Sequence, residues 1–431
     1  MKVIIVSYYW PPSGGSGVQR WMYFAKHLVE NGIEPIVVTI NPENAAYSTF
    51  DNSLVKQVEH IETHHTSGGF QILKLYSLLK SGNTKKQIPV GDIGDKKKSS
   101  FDKLSAYIRA NYFIPDARVG WNKKAIPEVE KIIKKEKIDF IITTGPPHST
   151  HLIGLEIKNK YNIKWVADFR DPWTEVYYNN LFKRTKKADL KDKTLEKTVL
   201  NSADIVLTVG PSMRKMLADK LPSNESKVHA ILNGFDKEKL SLIEGKRYPE
   251  FTIAHIGIWT LQQANTEIVS ALKLITSENK DWKIRFVLVG NIHPEIIQNL
   301  ENIPNLIVDN RGKVSHQEAL QEMMNADLLL NCQADIPNSK LIISGKHMEY
   351  LATGNNMIVI GNKEGDAAEL MKGKEKARMI SPKDVEELKN SIIHFYNQER
   401  KTPVYNVEMN QYNRKSTAKE LAELLVKSLK N

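Results

Sequence analysis

The stretch Lys2 to Leu28, "KVIIVSYYWPPSGGSGVQRWMYFAKHL", decides the fold. The apolar run Lys2 to Ser7 reads as a strand, Pro11 to Arg20 ("PPSGGSGVQR") as a glycine turn, and Trp21 to Asn31 as a helix. Strand, glycines and helix in this order let a phosphate or sugar approach the backbone, because Gly lacks a Cβ and a helix start offers free N–H groups. A dinucleotide fingerprint would need a third glycine where Arg20 stands, and an acid after the second strand where the chain has Ile40-Asn41-Pro42. A Walker loop would need Lys followed by Ser or Thr. What remains is a glycine turn with a cation at its rim, suited to a hydroxyl- or phosphate-bearing ligand or serving as a structural turn only.

Working outward, short apolar runs alternate with amphipathic helical patterns. Runs at 2–7, 35–40, 139–145, 164–169, 203–209 and 227–232 are uniformly apolar, as are those at 251–257, 284–290, 305–312, 326–332 and 355–361. Strands apolar on both faces suit a parallel sheet covered by helices, so the two series predict two doubly wound α/β domains in tandem. The expected division is residues 1–233, a polar linker at 234–249, a second domain at 250–412, and a helix at 413–431 that can pack back on the first domain. Residues 41–137 fit the pattern poorly and are expected to be an insertion. Within it, Phe101 to Ile114 places Leu104, Tyr107 and Ile108 near one another beside Lys103 and Arg109, which suits either a membrane surface or a helix docked on its own domain. A second basic segment, 183–197, holds seven Lys or Arg against three acids and reads by default as a solvated helix.

A chain of 431 residues with 41% hydrophobic content can fill two cores. Its net charge of +11 favours anionic partners such as nucleotide phosphates or anionic lipid. Nucleic acid is not expected, since no binding module or interleaving of aromatic and basic residues accompanies the charge. The single cysteine, Cys332, rules out an internal disulfide and reads as a core residue. With a strand from Lys2 and no apolar run of membrane-spanning length, a cytoplasmic protein is expected, peripheral to the inner face of the plasma membrane. No metal site is expected: D-x-D after a strand and H-E-x-x-H are both missing from the sequence.

Three further segments carry chemistry. "TTGPPHSTH" (143–151) puts His148 at a strand's carboxyl end, where open α/β sheets bind ligands. "ADFRDPW" (167–173) brings Asp168, Arg170 and Asp171 into one loop, able to position sugar hydroxyls or to form an internal ion network. "SGKHMEYLATG" (344–354) sets Ser344, Gly345 and Lys346 at a helix start with Glu349 one turn on: N–H groups and a cation for a diphosphate, a carboxylate for a ribose. A capped helix with a surface Lys and Glu is the plainer alternative.

With these residues in place the chain resembles glycosyltransferase family 4, the retaining nucleotide-sugar enzymes of the GT-B fold, through "PPSGGSGVQR", "TTGPPHS", "DFRDPW", "SADIVLTVGPSM", "ILNGFD", "IAHIG", "FVLVG" and "GKHMEYLATGNNMIVI" in the family's order. The resemblance implies two Rossmann-like domains facing a central cleft and metal-independent transfer of a hexosyl group from a nucleotide-diphosphate sugar, with UDP the expected nucleotide, to a saccharide or lipid-linked saccharide in surface polysaccharide or glycolipid synthesis. No cofactor beyond that co-substrate is implied. Carried over by position, Gly15, Gly17, Gly257, Gly312, Val314, Ser344, Gly345, Lys346 and Glu349 bind the donor. Together with the reading of the charged loops, His148, Asp168, Arg170 and Lys346 are expected to act in catalysis, and Arg20, Asp171 and Trp173 to lie on the acceptor side. Two departures bear on the site: Leu341 stands where the first glutamate of the family's E-x7-E belongs, and "IWTLQQAN" (258–265) lacks the cations that commonly follow the "HIG" strand. A nucleotide-sugar 2-epimerase and a non-catalytic nucleotide-binding protein are the alternative readings.

Overall fold

The computed structural model describes residues 1–45, 47, 49–69, 100–176 and 184–430. They form two compact units, Met1–Leu232 with Thr417–Asn431, and Asn233–Ser416. The first unit is built on strands β1 (Lys2–Val6), β2 (Glu34–Ile40), β3 (Glu62–Thr66), β4 (Phe140–Gly145), β5 (Lys164–Phe169), β6 (Ile205–Thr208) and β7 (Val228–Ala230). They pair in the order β3-β2-β1-β4-β5-β6-β7, all parallel, with Ile4 registered between Ile36 and Ile141. The second unit holds β8 (Phe251–Ile256), β9 (Ile284–Val289), β10 (Leu306–Gly312), β11 (Leu328–Cys332), β12 (Asn356–Ile360) and β13 (Ala377–Ile380) in the order β10-β9-β8-β11-β12-β13, again all parallel. Each sheet is a doubly wound sheet, with its reversal of strand order between β1 and β4 and between β8 and β11.

Two strands escape the sequence pattern, β3 ("ETHHT") and β13 ("ARMI"). Both lie at sheet edges, where a strand keeps one side in water and needs no uniform apolar run. β3 also shows that residues 41–137 are not one insertion, since part of the segment extends the sheet. The polar stretch 81–99 lies outside the described residues. Residues 234–249, expected as a linker, fall in the second unit, where Phe235 and Leu240 are buried and Lys237–Leu240 forms one helical turn.

The helices that position the functional residues are α1 (Ser16–Leu28), α2 (Ser100–Tyr112), α3 (Ser149–Tyr161), α4 (Lys186–Ser202), α5 (Gly345–Thr353) and α6 (Arg414–Lys430). α1 begins at Ser16 rather than Trp21, so Ser16 to Arg20 of the glycine stretch belong to its first turns. Gly15 caps it at φ 89°, a conformation open to glycine. A comparable constraint sits in the second unit, where Gly290 (φ 117°) packs so closely on Gly257 that a Cβ there would collide with the Gly257 carbonyl.

Apolar residues of α1, β1, β4, β5 and β6 form the core of the first unit, and Ala418, Leu421, Ala422 and Leu425 of α6 complete it. Residues 417–430 therefore close the first unit after the chain has built the second. Leu425 is fully buried in that core, so Leu425→Ala should lower stability by about 2–5 kcal/mol. Urea denaturation followed by near-ultraviolet circular dichroism would read this loss, and an unchanged midpoint would contradict the packing.

Candidate active site

In open α/β sheets the loops at the strands' carboxyl ends diverge where the strand order reverses, and leave a crevice. In the first unit that point is flanked by Gly15 and Gly17 after β1 and by His148 after β4. Next to it, β5 ends on Asp168, fully buried. Its Oδ1 accepts from Arg20 Nη2 (2.9 Å) and Nε (3.1 Å), and its Oδ2 from Trp21 Nε1 (2.6 Å) and Thr144 Oγ1 (2.8 Å). Arg20 spends its remaining donors on the carbonyls of Ile231 (2.7 Å) and Thr208 (3.4 Å). These two residues are not ligand groups: Arg20 does not reach out to an acceptor, and Asp168 has its oxygens filled from within the protein.

Arg170 is likewise turned inward. Its guanidinium donates to the carbonyls of Gly17, Pro146 and Gly145, and its backbone N–H donates to Gly145 at 2.9 Å. It thereby fixes the glycine turn against the loop after β4, with its pKa lowered by burial despite the nearby Asp168 and Asp171. Trp173, expected on the acceptor side, is buried, with Nε1 donating to Asp192 of α4 at 2.8 Å. Asp171 remains exposed, and its carboxyl is raised by the density of protein around it, against the pull of Arg170.

His148 is buried and left unsatisfied. Its ring stacks on Trp173 at 5.1 Å and 8°, and neither ring nitrogen has a hydrogen-bond partner within good geometry, although the Pro172 carbonyl is a weak nearby acceptor. Burial, then His151 and Arg170, push its pKa well down, so it is neutral at pH 7. His151 stacks on Phe169 at 4.5 Å, contacts Thr143 Oγ1 through Nδ1 at 3.0 Å, and is pushed down to about 3 by burial. α3 is held by a residue that the sequence motifs did not flag: Asp116 accepts from the Ser149 N–H (2.8 Å) and Oγ (2.9 Å). Its capping role is invisible in sequence because 33 residues separate the partners.

In the second unit the strand order reverses between β8, which runs into Gly257, and β11, which ends at Cys332. α5 starts beside them with no side-chain cap: the Ser344 hydroxyl instead accepts from Asn331 Nδ2 at 3.3 Å. Gly345 is exposed, and a Cβ on it would meet nothing within 4 Å. The His347 N–H donates to the Ser344 carbonyl at 3.0 Å, while no side chain caps the N–H groups of Gly345 and Lys346, the condition under which a helix start attracts an anion. Lys346 lies against Gly257, its Nζ 3.1 Å from His255 Nε2, and no carboxylate pairs with it among the described residues. Burial lowers the lysine to about 8, with Cys332 opposing, while burial and Lys346 hold His255 well below its ordinary value and neutral. His255 is a second residue that the motifs missed, although a polar side chain inside the apolar run "FTIAHIG" was the signal.

Glu349 follows on the same helix, with Oε1 3.0 Å from His316 Nε2. Gly312 (φ 61°) closes β10; its N–H donates to Asn310 Oδ1 at 3.2 Å and its carbonyl accepts from the Gly290 N–H at 2.7 Å, so its backbone groups are engaged. Val314 is half-buried. Leu341 is buried, an apolar packing residue where the family's first glutamate was expected. Gly257, Ser344, Gly345 and Lys346 are thus brought together, with Glu349 one turn along, while Asp168, Arg170, Arg20 and Trp173 form the framework that holds His148 and the glycine turn. Among the described residues no group of three His, Cys, Asp or Glu side chains is placed to hold a metal ion.

Residues 94–239 match the model of Glycosyltransferase Family 4. No curated protein sequence matches the chain. Among solved structures, a glycosyltransferase from Rickettsia africae is 15% identical with a TM-score of 0.62, covering 100% of this chain and 99% of its own. The lipopolysaccharide outer core galactosyltransferase WaaB, in its apo form, is 11% identical with a TM-score of 0.59, covering 99% of each chain. The UDP-GlcNAc 2-epimerase from Neisseria meningitidis, bound to UDP-GlcNAc, is 11% identical with a TM-score of 0.53, covering 99% of this chain and 100% of its own.

Because Arg20 and Asp168 are fully buried partners, Asp168→Ala should cost about 3–5 kcal/mol by leaving an uncompensated guanidinium. The double replacement Arg20→Met, Asp168→Leu should recover part of that loss. Chemical denaturation of the three variants measures both, and a neutral Asp168→Ala would refute the structural assignment. The first unit thus carries a segment similar to glycosyltransferase family 4, and the whole chain shares the GT-B fold of the glycosyltransferases that it resembles in structure.

Proposed function

We propose that the protein transfers a hexosyl group from a nucleotide-diphosphate sugar, with UDP the expected nucleotide, to a saccharide or lipid-linked saccharide, with retention and without a metal ion. One observation carries this reading: the start of α5 has no side-chain cap, there is space around Gly345, and no carboxylate pairs with Lys346 among the described residues, an arrangement suited to seat a diphosphate. Departure of a nucleoside diphosphate builds negative charge on its terminal phosphate. Preorganised N–H groups and a cation offset that charge as it develops. Glu349, oriented by His316, is placed to accept hydrogen bonds from the ribose hydroxyls. In the first unit the neutral, unpartnered His148 is suited to hydrogen-bond the transferred sugar.

In a retaining reaction without an enzyme nucleophile, the acceptor oxygen attacks the anomeric carbon on the face that the phosphate leaves. The C–O bond to phosphate breaks as the new bond forms, and the acceptor proton passes to the departing phosphate oxygen. No side chain need carry that proton, which accords with the inward-facing Asp168. A lipid-linked acceptor would place the reaction at a membrane surface, at the inner face of the plasma membrane.

A thermal-shift screen against UDP, GDP and ADP, followed by incubation with the matching sugar donors, tests the reading. A nucleotide held well below its working concentration should raise the melting temperature by mass action. Silence across all three families would sink it, and interconversion of donors without an acceptor would replace it with epimerisation. Lys346→Ala should lower kcat about 100- to 1000-fold, on the scale of losing one donor to a developing anion. A variant that keeps its rate would show that the diphosphate is neutralised elsewhere.

The lysine also sets a pH dependence. With its value lowered to about 8, the free protein holds the ammonium form below that pH and loses it above. Nucleoside diphosphate affinity should therefore fall as pH rises through about 8, whereas Lys346→Arg should flatten the fall, because a guanidinium stays charged. Calorimetric titrations between pH 6 and pH 10, roughly two units either side, distinguish the two profiles.

A further inference from the structure

α2 and α4 lie side by side in the first unit: Arg184 donates through Nε to the Ala110 carbonyl at 3.3 Å, and the Thr185 N–H donates to Asn111 Oδ1 at 2.6 Å. The sequence offered these helices separately, one as an amphipathic segment and one as a solvated helix. Together they make one surface. On α4, Ala188, Asp192, Glu196 and Val199 are buried. The opposite stripe, spaced at i, i+4, i+7 and i+11, is Lys186, Leu190, Lys193 and Lys197, and it faces solvent with Leu190 67% exposed. On α2, Leu104 and Tyr107 are 57% and 41% exposed and sit one turn apart, with Tyr112 at 75% near the helix end. α2 thus leaves Leu104 and Tyr107 exposed, while Ile108 of the same stripe is half-buried.

Two Leu, two Tyr and a border of lysines is a composition suited to the boundary between water and acyl chains. Leucines enter the apolar layer, tyrosines lie at headgroup level, and lysine stems extend to anionic headgroups. Lys186, Lys187, Lys191 and Lys197 are exposed and without a carboxylate partner among the described residues, while Asp189, on the same helix, is paired with Lys193 at 2.8 Å. The charge of the whole chain, +11, has the same sign. An acidic protein partner would meet the cations but would gain nothing from four separate apolar tips. We propose that the α2–α4 face docks on an anionic lipid bilayer surface. The proposal does not depend on the donor chemistry.

Behind this face, the Trp173 that stacks on His148 donates to Asp192 on the buried side of α4. His148 is thus separated from the lipid-facing side of α4 by the Trp173 ring and the thickness of one helix, roughly 10 Å for the helix alone.

Flotation of the full chain with vesicles of phosphatidylcholine alone, or of phosphatidylcholine with phosphatidylglycerol, tests this directly. Flotation with the anionic vesicles only, reversed by salt, is expected. Lys186→Gln with Lys187→Gln should reduce the partition coefficient about 30-fold, at about fivefold per basic residue. An equal loss of charge in the second unit, Lys280→Gln with Lys283→Gln, should leave it unchanged. Leu190→Ser with Tyr112→Ser should weaken binding even at low salt, and the melting temperature of each variant checks that the fold is kept. Failure of the wild type to float, equal losses from the two lysine pairs, or indifference to the Leu190 and Tyr112 changes would each overturn the proposal. So would a self-associated wild type that the apolar changes convert to monomer, which would give the face to a second copy of the chain. Should a lysine variant not fold, wild-type flotation that persists undiminished at high salt would overturn it equally.

Discussion

A guanidinium and a carboxylate enclosed together, Arg20 with Asp168, organise the first unit. Neither can be left alone in a low-dielectric interior, where an unpaired ion is penalised by several kcal/mol. Their requirement for partners is met by drawing in α1, the ends of β4, β5 and β6, and the chain just after β7, through Trp21, Thr144, Thr208 and Ile231. The glycine turn after β1 is then tied down by a second arginine, Arg170, which donates to carbonyls on both sides of the point where strand order reverses. Charges that resemble a reactive cluster in sequence serve in the fold as the frame of a loop, and beside that frame His148 has neither ring nitrogen paired.

The second unit repeats the strand order but equips it differently. Its sheet reversal carries an uncapped helix start and a lysine whose neighbours are a neutral histidine and a protonated thiol, Cys332, raised to about 12 by burial. Among the described residues no carboxylate pairs with the lysine. Two neutral histidines, His148 and His255, thus stand near the reversal of strand order in each sheet. Both are kept neutral by burial.

Most of the fold was legible because parallel strands covered on both faces leave an apolar signature that few other elements share. "KVIIV" and "IRFVLV" need no context. β3 and β13 escaped because edge strands are free to be polar, and the start of α1 escaped because glycines and serine suppress the helical pattern that their backbone nevertheless follows. The grouping of Gly345, Lys346 and Glu349 on the first turns of one helix was legible, because it depends on short-range spacing. It was illegible at Asp168, Arg170, Trp173 and Asp116, whose partners lie tens of residues away or more. A charged loop at a strand end reads the same whether its side chains point outward or inward, and only the fold distinguishes the two.

The return of α6 to the first unit has a consequence for biosynthesis. Ala418, Leu421, Ala422 and Leu425 belong to the same core as Val3 and Ile5, yet all of residues 233–416 are made in between. At about 5–20 residues per second, the ribosome leaves that core incomplete for roughly 10–40 s. During that interval the apolar surface later covered by α6 is open to chaperones and to other nascent chains. Vectorial synthesis, which usually lets an N-terminal domain mature early, here makes the first unit finish last.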